Sequence, residues 1–432
     1  MNREIFGRVA RVGPRWATLA LLSTLWAPLA AAQTVDFNST TLLRVQPVWT
    51  AGNIQTGGWG TEFIGLTVRN FDLSGSGVDD LNIRLSAWGQ LATLSNSIYT
   101  GTTADIDILY VQAAFLHRHL SLTVGRQLIS GGAARVLQLD GASATAMIAR
   151  GFGINGYVGA PTPQRFNYSN STAYGDFAFG GRAFWRPAYG SEIGVSYLQM
   201  MKNGYITRQD LGLDGQYAIL YNLAVTGSGI LALGTGRWSD AAAGIRWRIN
   251  PDLEIFATAE KTSPDLYLPR TSIFTVFTEI DRSGIGGGVF WQALPRLGLY
   301  GEYQYLQVEG GDGNQAETRI TYKFAPQNTV GLNGKLLLIP TNGYYELRAW
   351  VMSAISEPIR LSGDLDYVHF ENPVNAHRNS FIATASVNWF FAPGWSAMLS
   401  GSAGTTPFFQ TAFTGTARLV YLFTNYDGKA HR

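Results

Sequence analysis

From about residue 38 to Phe423, short stretches of this chain alternate apolar and polar residues with a period of two. Thr318, Ile320, Tyr322 and Phe324 fall on one side of such a stretch, while Glu317, Arg319, Thr321 and Lys323 fall on the other. Ile359, Leu361, Gly363, Leu365 and Tyr367 oppose Arg360, Ser362, Asp364 and Asp366 in the same way. A two-residue period puts successive side chains on opposite faces of a β-strand. A soluble sandwich alternates too, but its charged face meets solvent and its apolar face meets a dry core. Here the apolar faces are rich in Gly, Ala and aromatic residues and recur on nearly every stretch. In lipid, strands satisfy their backbone only by closing into a barrel, apolar outside and polar within. The expected fold is all-β: a single transmembrane antiparallel β-barrel.

Composition removes the main alternatives. Beyond residue 32 no apolar run reaches the roughly eighteen residues that a helical span needs. Charged residues make up 14 % of the chain, aromatic residues 13 %, and there are 50 glycines, which suits a wall half exposed to lipid. The chain has no cysteine, which excludes disulfides, thiol chemistry and a lipid anchor on cysteine.

The first residues carry Arg3, Arg8, Arg11 and Arg15, then an apolar run from Trp16 through Leu29, then Ala30-Ala31-Ala32 before Gln33. This order reads as a cleavable signal peptide over residues 1–32. Its loss removes four Arg and one Glu, taking the formal charge from +2 to about −1. The basic balance of the whole chain therefore argues for no nucleic-acid partner. The remaining expectation is a barrel over 33–423 and a short polar tail over 424–432, in the outer membrane of a Gram-negative bacterium. Its partners there are outer-membrane lipids and the outer-membrane assembly machinery.

Connections alternate between tight and loose. The tight ones, such as Asn250-Pro251-Asp252 and Phe391-Ala392-Pro393-Gly394, use residues that pre-set turn dihedrals. The looser ones cover 93–103, 130–141, 161–175, 261–280, 309–315 and 370–379. Barrels of this kind have short periplasmic turns and longer extracellular loops. The tight turns and both chain ends are therefore expected on the periplasmic side. Counting strands gives about 22, with an even number from 18 to 22 accepted and the edges blurred between Asp214 and Arg237. Trp49, Trp59, Tyr110, Phe179, Trp185, Trp247, Tyr303, Tyr305, Tyr345, Trp389 and Tyr421 cluster near strand ends, as interface girdles would.

The last apolar face runs Phe413, Gly415, Ala417, Leu419, Tyr421, Phe423 and resembles the assembly signal of bacterial outer-membrane proteins, except that nine polar residues follow it. Residues 120–161 resemble a stretch of porin-like barrels, through Val124-Gly125-Arg126-Gln127, a Gly-rich loop, Leu139-Asp140-Gly141-Ala142 and Gly156-Tyr157-Val158-Gly159-Ala160-Pro161. Pro264, Leu268-Pro269 and Ser272-Ile273-Phe274 add a second echo. Together they look like the barrels that accompany polysaccharide export, of the alginate-export kind. That resemblance implies a channel translocating polysaccharide, with a periplasmic polysaccharide-export protein as partner. The alternative is a general or anion-preferring diffusion porin for small solutes, and a further one is a non-conducting structural barrel.

Strand parity turns Arg44, Arg69, Arg84, Arg182, Arg246, Arg248, Arg319, Lys323, Lys335, Arg348, Arg360 and Arg418 inward, with Glu62, Glu254, Glu260, Glu302, Glu317, Glu346, Asp364 and Asp366. Fixed charges around a pore bias what enters it; equally, Arg and acid on neighbouring strands can pair and stiffen the wall. Glu346 with Arg348 and Arg360 with Asp364 are the candidate pairs. The expected selectivity set is Arg246, Arg248, Arg84, Arg126, Arg319, Lys323, Arg348, Arg360, Asp364 and Asp366. Arg126 and Arg135 would act at the mouth, unless Arg126 braces its loop against Asp140. The stretch 261–280 is the candidate constriction loop, because Ile273, Phe274, Val276 and Phe277 need something to pack against.

An enzyme is not expected. A rim hydrolase would pair a His with Ser or Asp, but parity sends His369 to the face opposite Asp364 and Asp366. His117 and His119 lack further ligands, so neither metal nor cofactor is implied.

Overall fold

The computed structural model describes residues 32–50, 53–71, 73, 75–92, 101–149, 151–162, 175–263, 281–308 and 310–426. The first strands are β1 (Ala32–Thr50), β2 (Asn53–Phe71), β3 (Val78–Ala92), β4 (Thr102–Phe115), β5 (Leu120–Ser130) and β6 (Val136–Ala149). Next come β7 (Phe152–Pro161), β8 (Phe177–Trp185), β9 (Glu192–Lys202), β10 (Tyr205–Leu220) and β11 (Leu223–Ala232). They are followed by β12 (Arg237–Asn250), β13 (Leu253–Thr262), β14 (Arg282–Leu294), β15 (Leu297–Val308), β16 (Gly311–Ala325) and β17 (Asn328–Leu338). The last five are β18 (Tyr344–Ser356), β19 (Ile359–Val374), β20 (His377–Ala392), β21 (Trp395–Thr405) and β22 (Ala412–Tyr426).

Every strand runs antiparallel to its neighbours in sequence, and β1 pairs with β22 from Thr34↔Tyr426 to Val45↔Gly415. The 22 strands thus form one closed barrel with no free edge. This is the upper end of the expected count. The blurred stretch resolves into the end of β10, a turn at Tyr221-Asn222 and β11.

Ala32 and Tyr426 lie at one end of the barrel, here the lower end, together with the turns at 116–119, 251–252, 295–296, 326–327 and 393–394. The connections at the upper end are more varied than expected. Around 309–315 and 370–379, strands continue almost to the tip, so the loose segments expected there are tight hairpins. Asn203-Gly204 is likewise a two-residue turn, with both φ values positive at 51° and 81°. That backbone matches the twist of the flanking strands, and Gly accepts it without strain. The segments 93–100, 163–174 and 264–280 lie outside the described residues. So do Ile273, Phe274, Val276 and Phe277, the candidate constriction residues.

Register fixes which face each side chain takes. Paired residues share a face, and the pairings carry one alternation around the whole barrel. Leu332, Leu336 and Leu338 share the outer face with Tyr322 and Ile320, while Asn333 and Lys335 face inward beside Arg319 and Glu317. Outward aromatic residues form two belts, for example Trp247, Trp291, Trp389 and Tyr421 below, and Tyr303, Tyr345 and Phe413 above. Phe413 and Tyr421 are eight residues apart on β22, which is roughly 20 Å of axial height at about 3.3 Å per residue and a tilt near 40°. That matches the apolar band of a transmembrane barrel.

Four residues take the face opposite to the one expected. Glu62 pairs with Thr41 on the outer face, and Arg126 pairs with Leu109 and Asp140 there. Trp59 and Tyr110 turn inward, so they belong to no girdle: Trp59 pairs with Arg44, whose guanidinium lies 5.6 Å from its ring centre, and Tyr110 pairs with Arg84. Strand-by-strand parity had no partner strand to set its phase on β2, β4 and β5.

Candidate solute path through the lumen

A charged wall surrounds the lumen, and most of its charges are paired. Arg246 and Arg248 share Glu254, at 3.2 and 3.4 Å, but their side chains stay 69 % and 65 % exposed. Arg319 meets Glu317 at 3.1 Å and covers the Tyr300 ring. Arg348 bonds Asp364 at 2.6 Å, not its sequence neighbour Glu346, because the register sets β19 beside β18. Arg360 lies 5.1 Å from the Phe390 ring centre in place of the expected contact with Asp364. Asp366 lies in the same inward row as Arg348. Lys323 pairs with Thr329 on the inner face. Arg84 faces inward between β2 and β4, opposite Thr67 and Tyr110.

Arg126 belongs to a different structure. Its Nε and Nη2 donate to the two oxygens of Asp140 at 2.6 and 2.7 Å, and its Nη1 donates to Asp105 and to the Ile106 carbonyl. The pair sits on the outer wall, where it ties β4, β5 and β6 together. His369 also faces outward, stacked 4.9 Å from the Tyr345 ring centre. Among the described residues no group of three or more side chains is placed to hold a metal ion.

Among the described residues, the connection between β5 and β6 narrows the lumen. Gly132–Ala134 forms one turn of 3-10 helix that folds inward against β9, β10 and β11. Its packing has a cause in the wall. Leu139, Leu198, Met200 and Ala178 all occupy inward positions, where an open channel would bathe them in water. Ala133 and Ala134 cover them, leaving Leu139, Leu198 and Ala178 with no exposure. Burying such side chains is worth about 25 cal/mol per Å² of apolar surface. Gly212 makes room: a Cβ there would stand 2.6 Å from the Ala133 nitrogen.

Polar bonds then lock the loop. The Ala133 N–H donates to Ser196 Oγ at 2.8 Å. Arg135 donates from Nη2 to Ser239 Oγ at 2.6 Å and from Nη1 to Asp210 at 3.3 Å. Asp210 is 1 % exposed and also accepts from Arg208 Nε at 2.7 Å; Arg208 reaches on to the Ala133 carbonyl. Arg135 holds a φ of 52° and a ψ of −89°, an uncommon conformation for a side-chain-bearing residue, which the surrounding bonds maintain. A buried carboxylate between two guanidiniums is costly to break, since removing one partner strands the others out of water.

Beside the loop a cavity of about 540 Å³ opens among Arg84, Gln112, Asn155, Tyr157, Arg182 and Phe184. Arg182 bridges Asp214 and Glu192, Arg186 joins Glu192 at 2.6 Å, and both guanidiniums lie over the Phe184 ring. This arrangement offers water-exposed charge of both signs at short spacing.

Neither Asp210 nor Ser239 stands out in the sequence. One signal was legible: Leu137 and Leu139, then Leu198 and Met200, place apolar side chains at inward positions. A run of apolar residues on the wet face of two strands implies a cover.

No protein-family model matches the chain, and no curated protein matches it in sequence. Among solved structures, OccAB4 of Acinetobacter baumannii aligns with 92 % of this chain and 100 % of its own, at 9 % identity and a TM-score of 0.44. The translocation pore of the P pilus usher PapC aligns with 90 % of this chain and 99 % of its own, at 9 % identity and a TM-score of 0.43. The outer membrane protein OpdK of Pseudomonas aeruginosa covers 90 % of this chain and 98 % of its own, at 8 % identity and a TM-score of 0.41. Likeness at this level assigns the chain to no family.

Proposed function

We propose that this protein is an outer-membrane channel through which small hydrophilic solutes diffuse. The apolar outer wall with its two aromatic belts fits a bilayer, and the lower end, with its turns, faces the periplasm. The observation that carries the reading is the inward loop locked to Asp210, Ser196 and Ser239. A duct for polymer needs an unobstructed bore or a gate that swings clear. A loop packed on its own apolar bed and held by a buried carboxylate is a fixed narrowing, which sorts solutes by size. Small solutes thus take precedence over polysaccharide. Lumen charge adds a weak preference: Arg246 and Arg248 bring two cations to one carboxylate at the lower mouth, which favours anions there.

The test is conductance in planar bilayers with liposome swelling. Stable open steps, with swelling rates that fall from monosaccharide to trisaccharide, are expected. A protein that inserts into bilayers without conducting, or that admits sugars of all these sizes equally, overturns the reading.

A further inference from the structure

We infer that a second copy of this chain packs against the outer wall between β2 and β6, forming a symmetric oligomer in the membrane. The inference rests on the outer wall meeting lipid, and does not depend on whether the lumen conducts.

The belt of outward aromatic residues is interrupted in this sector. Outward positions of β2, β3, β4, β5 and β6 carry one aromatic side chain, Phe115 at the lower end. Five others, Trp59, Phe63, Phe71, Trp88 and Tyr110, take inward positions, as their pairings require. A lipid-facing wall is anchored at its interfaces by such rings; a wall covered by protein has no need of them.

The same sector carries charge. Glu62 accepts from Ser39 Oγ at 2.6 Å and from Thr41 Oγ1 at 2.5 Å, all three on the outer face. Arg126 and Asp140 form their bidentate pair three strands away. Charged groups on the lipid face of a barrel are costly near the midplane. Small residues such as Gly60, Ala87, Gly89 and Ala104 surround Glu62 and let another wall approach closely. Small residues alone do not mark the sector, since Ala349, Gly363, Ala385 and Gly401 also line the outer face of β18 to β21. What sets β2 to β6 apart is charge together with the missing rings.

Depth selects the occupant. Leu66, Leu85, Leu109 and Arg126 lie in one hydrogen-bonded row. On strands tilted by about 40° such a row climbs roughly 3 Å per strand, so Arg126 stands about 9 Å above Leu66. Glu62 is four residues up β2 from Leu66, which is about 10 Å. The acid and the base therefore share one height, some 10 Å inside the lower belt. A second copy related by an axis along the membrane normal keeps every height, and so brings its Arg126–Asp140 pair level with Glu62. A lipid headgroup does not reach that depth, and the outward faces of β21, β22, β1, β2 and β3 carry no basic side chain among the described residues.

Because the chain has no cysteine, single cysteines report the contact directly. Ala104→Cys and Ala142→Cys in the sector, and Leu336→Cys on the far wall, are oxidised in native outer membranes. Disulfide-linked dimers of this chain are expected from the first two and not from the third. Glu62→Gln should lower the oligomer fraction in mild detergent on the order of tenfold, the size of one charge-assisted bond. If Glu62→Gln does not fold, as judged by heat-modifiability on gels, the cysteine series decides. Cross-links absent from the sector, equal at all three positions, or joined only to other proteins overturn the proposal, as does a monomeric mass for the wild-type barrel in native membranes.

Discussion

Asp210 accepts from both Arg135 and Arg208, and through them it holds the loop that narrows the lumen. Asp210→Asn keeps the volume but removes the charge that both guanidiniums share. Single-channel conductance should rise while the barrel still shows its heat-modifiable band; unchanged conductance would separate the loop's position from this carboxylate. At the lower mouth, replacing Arg246 and Arg248 together by Gln leaves Glu254 without a counter-charge. The reversal potential in a salt gradient should move toward cations, and a wild-type value in the double variant would place selectivity elsewhere. These two sites differ in how readable they were. Arg246 and Arg248 share one strand, so parity alone places them on one face. Asp210 holds Arg135 while Ser239 and Ser196 hold other groups of the same loop; these belong to separate segments, and no local pattern links them.

At the scale of the strand, alternation was the legible quantity, and its phase was the weak point. Where a strand has a long apolar face, as on β17, the phase is certain: Leu332, Leu336 and Leu338 against Asn333 and Lys335. Leu336→Arg should therefore impair folding more than Lys335→Ala. A cation on the outer face costs about 2–4 kcal/mol at the midplane and about 1 kcal/mol or less near the interface, where Leu336 sits beside Tyr345, whereas the lumen position remains in water. Equal folding yields, read from the heat-modifiable band in refolding, would reverse the face of β17. On β2 Arg69 takes its expected inward place, whereas Glu62, seven residues away and so of opposite parity, faces out, as the register with β1 and β3 shows. The apolar core of 261–280 suggests a constriction there, outside the described residues; a second apolar set, inward on β6 and β9, is covered by the loop between β5 and β6.

For the whole molecule, the closed barrel and its strand number follow from repeated alternation and turn chemistry, and these survive errors in any one strand. Loop lengths did not carry the same information, since β15–β16 and β19–β20 close tightly at the upper end. The orientation in the membrane is tested from outside: epitope tags within 163–174 and 264–280 should be labelled on intact cells. Labelling only after the outer membrane is permeabilised would invert the orientation.

The loop joining β5 and β6 rests on groups supplied by β9, β10 and β12, all later in the chain. Its two anchoring strands can pair long before its seat exists. Until β9 to β12 have curled round, Leu139 and Leu198 face water and Arg135 is free for a protease. The narrowing is then a late event in assembly, and the last part of the inner wall to become resistant. In refolding sampled over time by brief trypsin treatment, cleavage after Arg135 should persist after the strands have formed by circular dichroism, then vanish together with the gain of heat-modifiability. Protection of Arg135 at the same moment as strand formation would mean that loop and barrel arise as one unit. A channel built in this order stays wide while it is unfinished, and becomes selective only once it is closed.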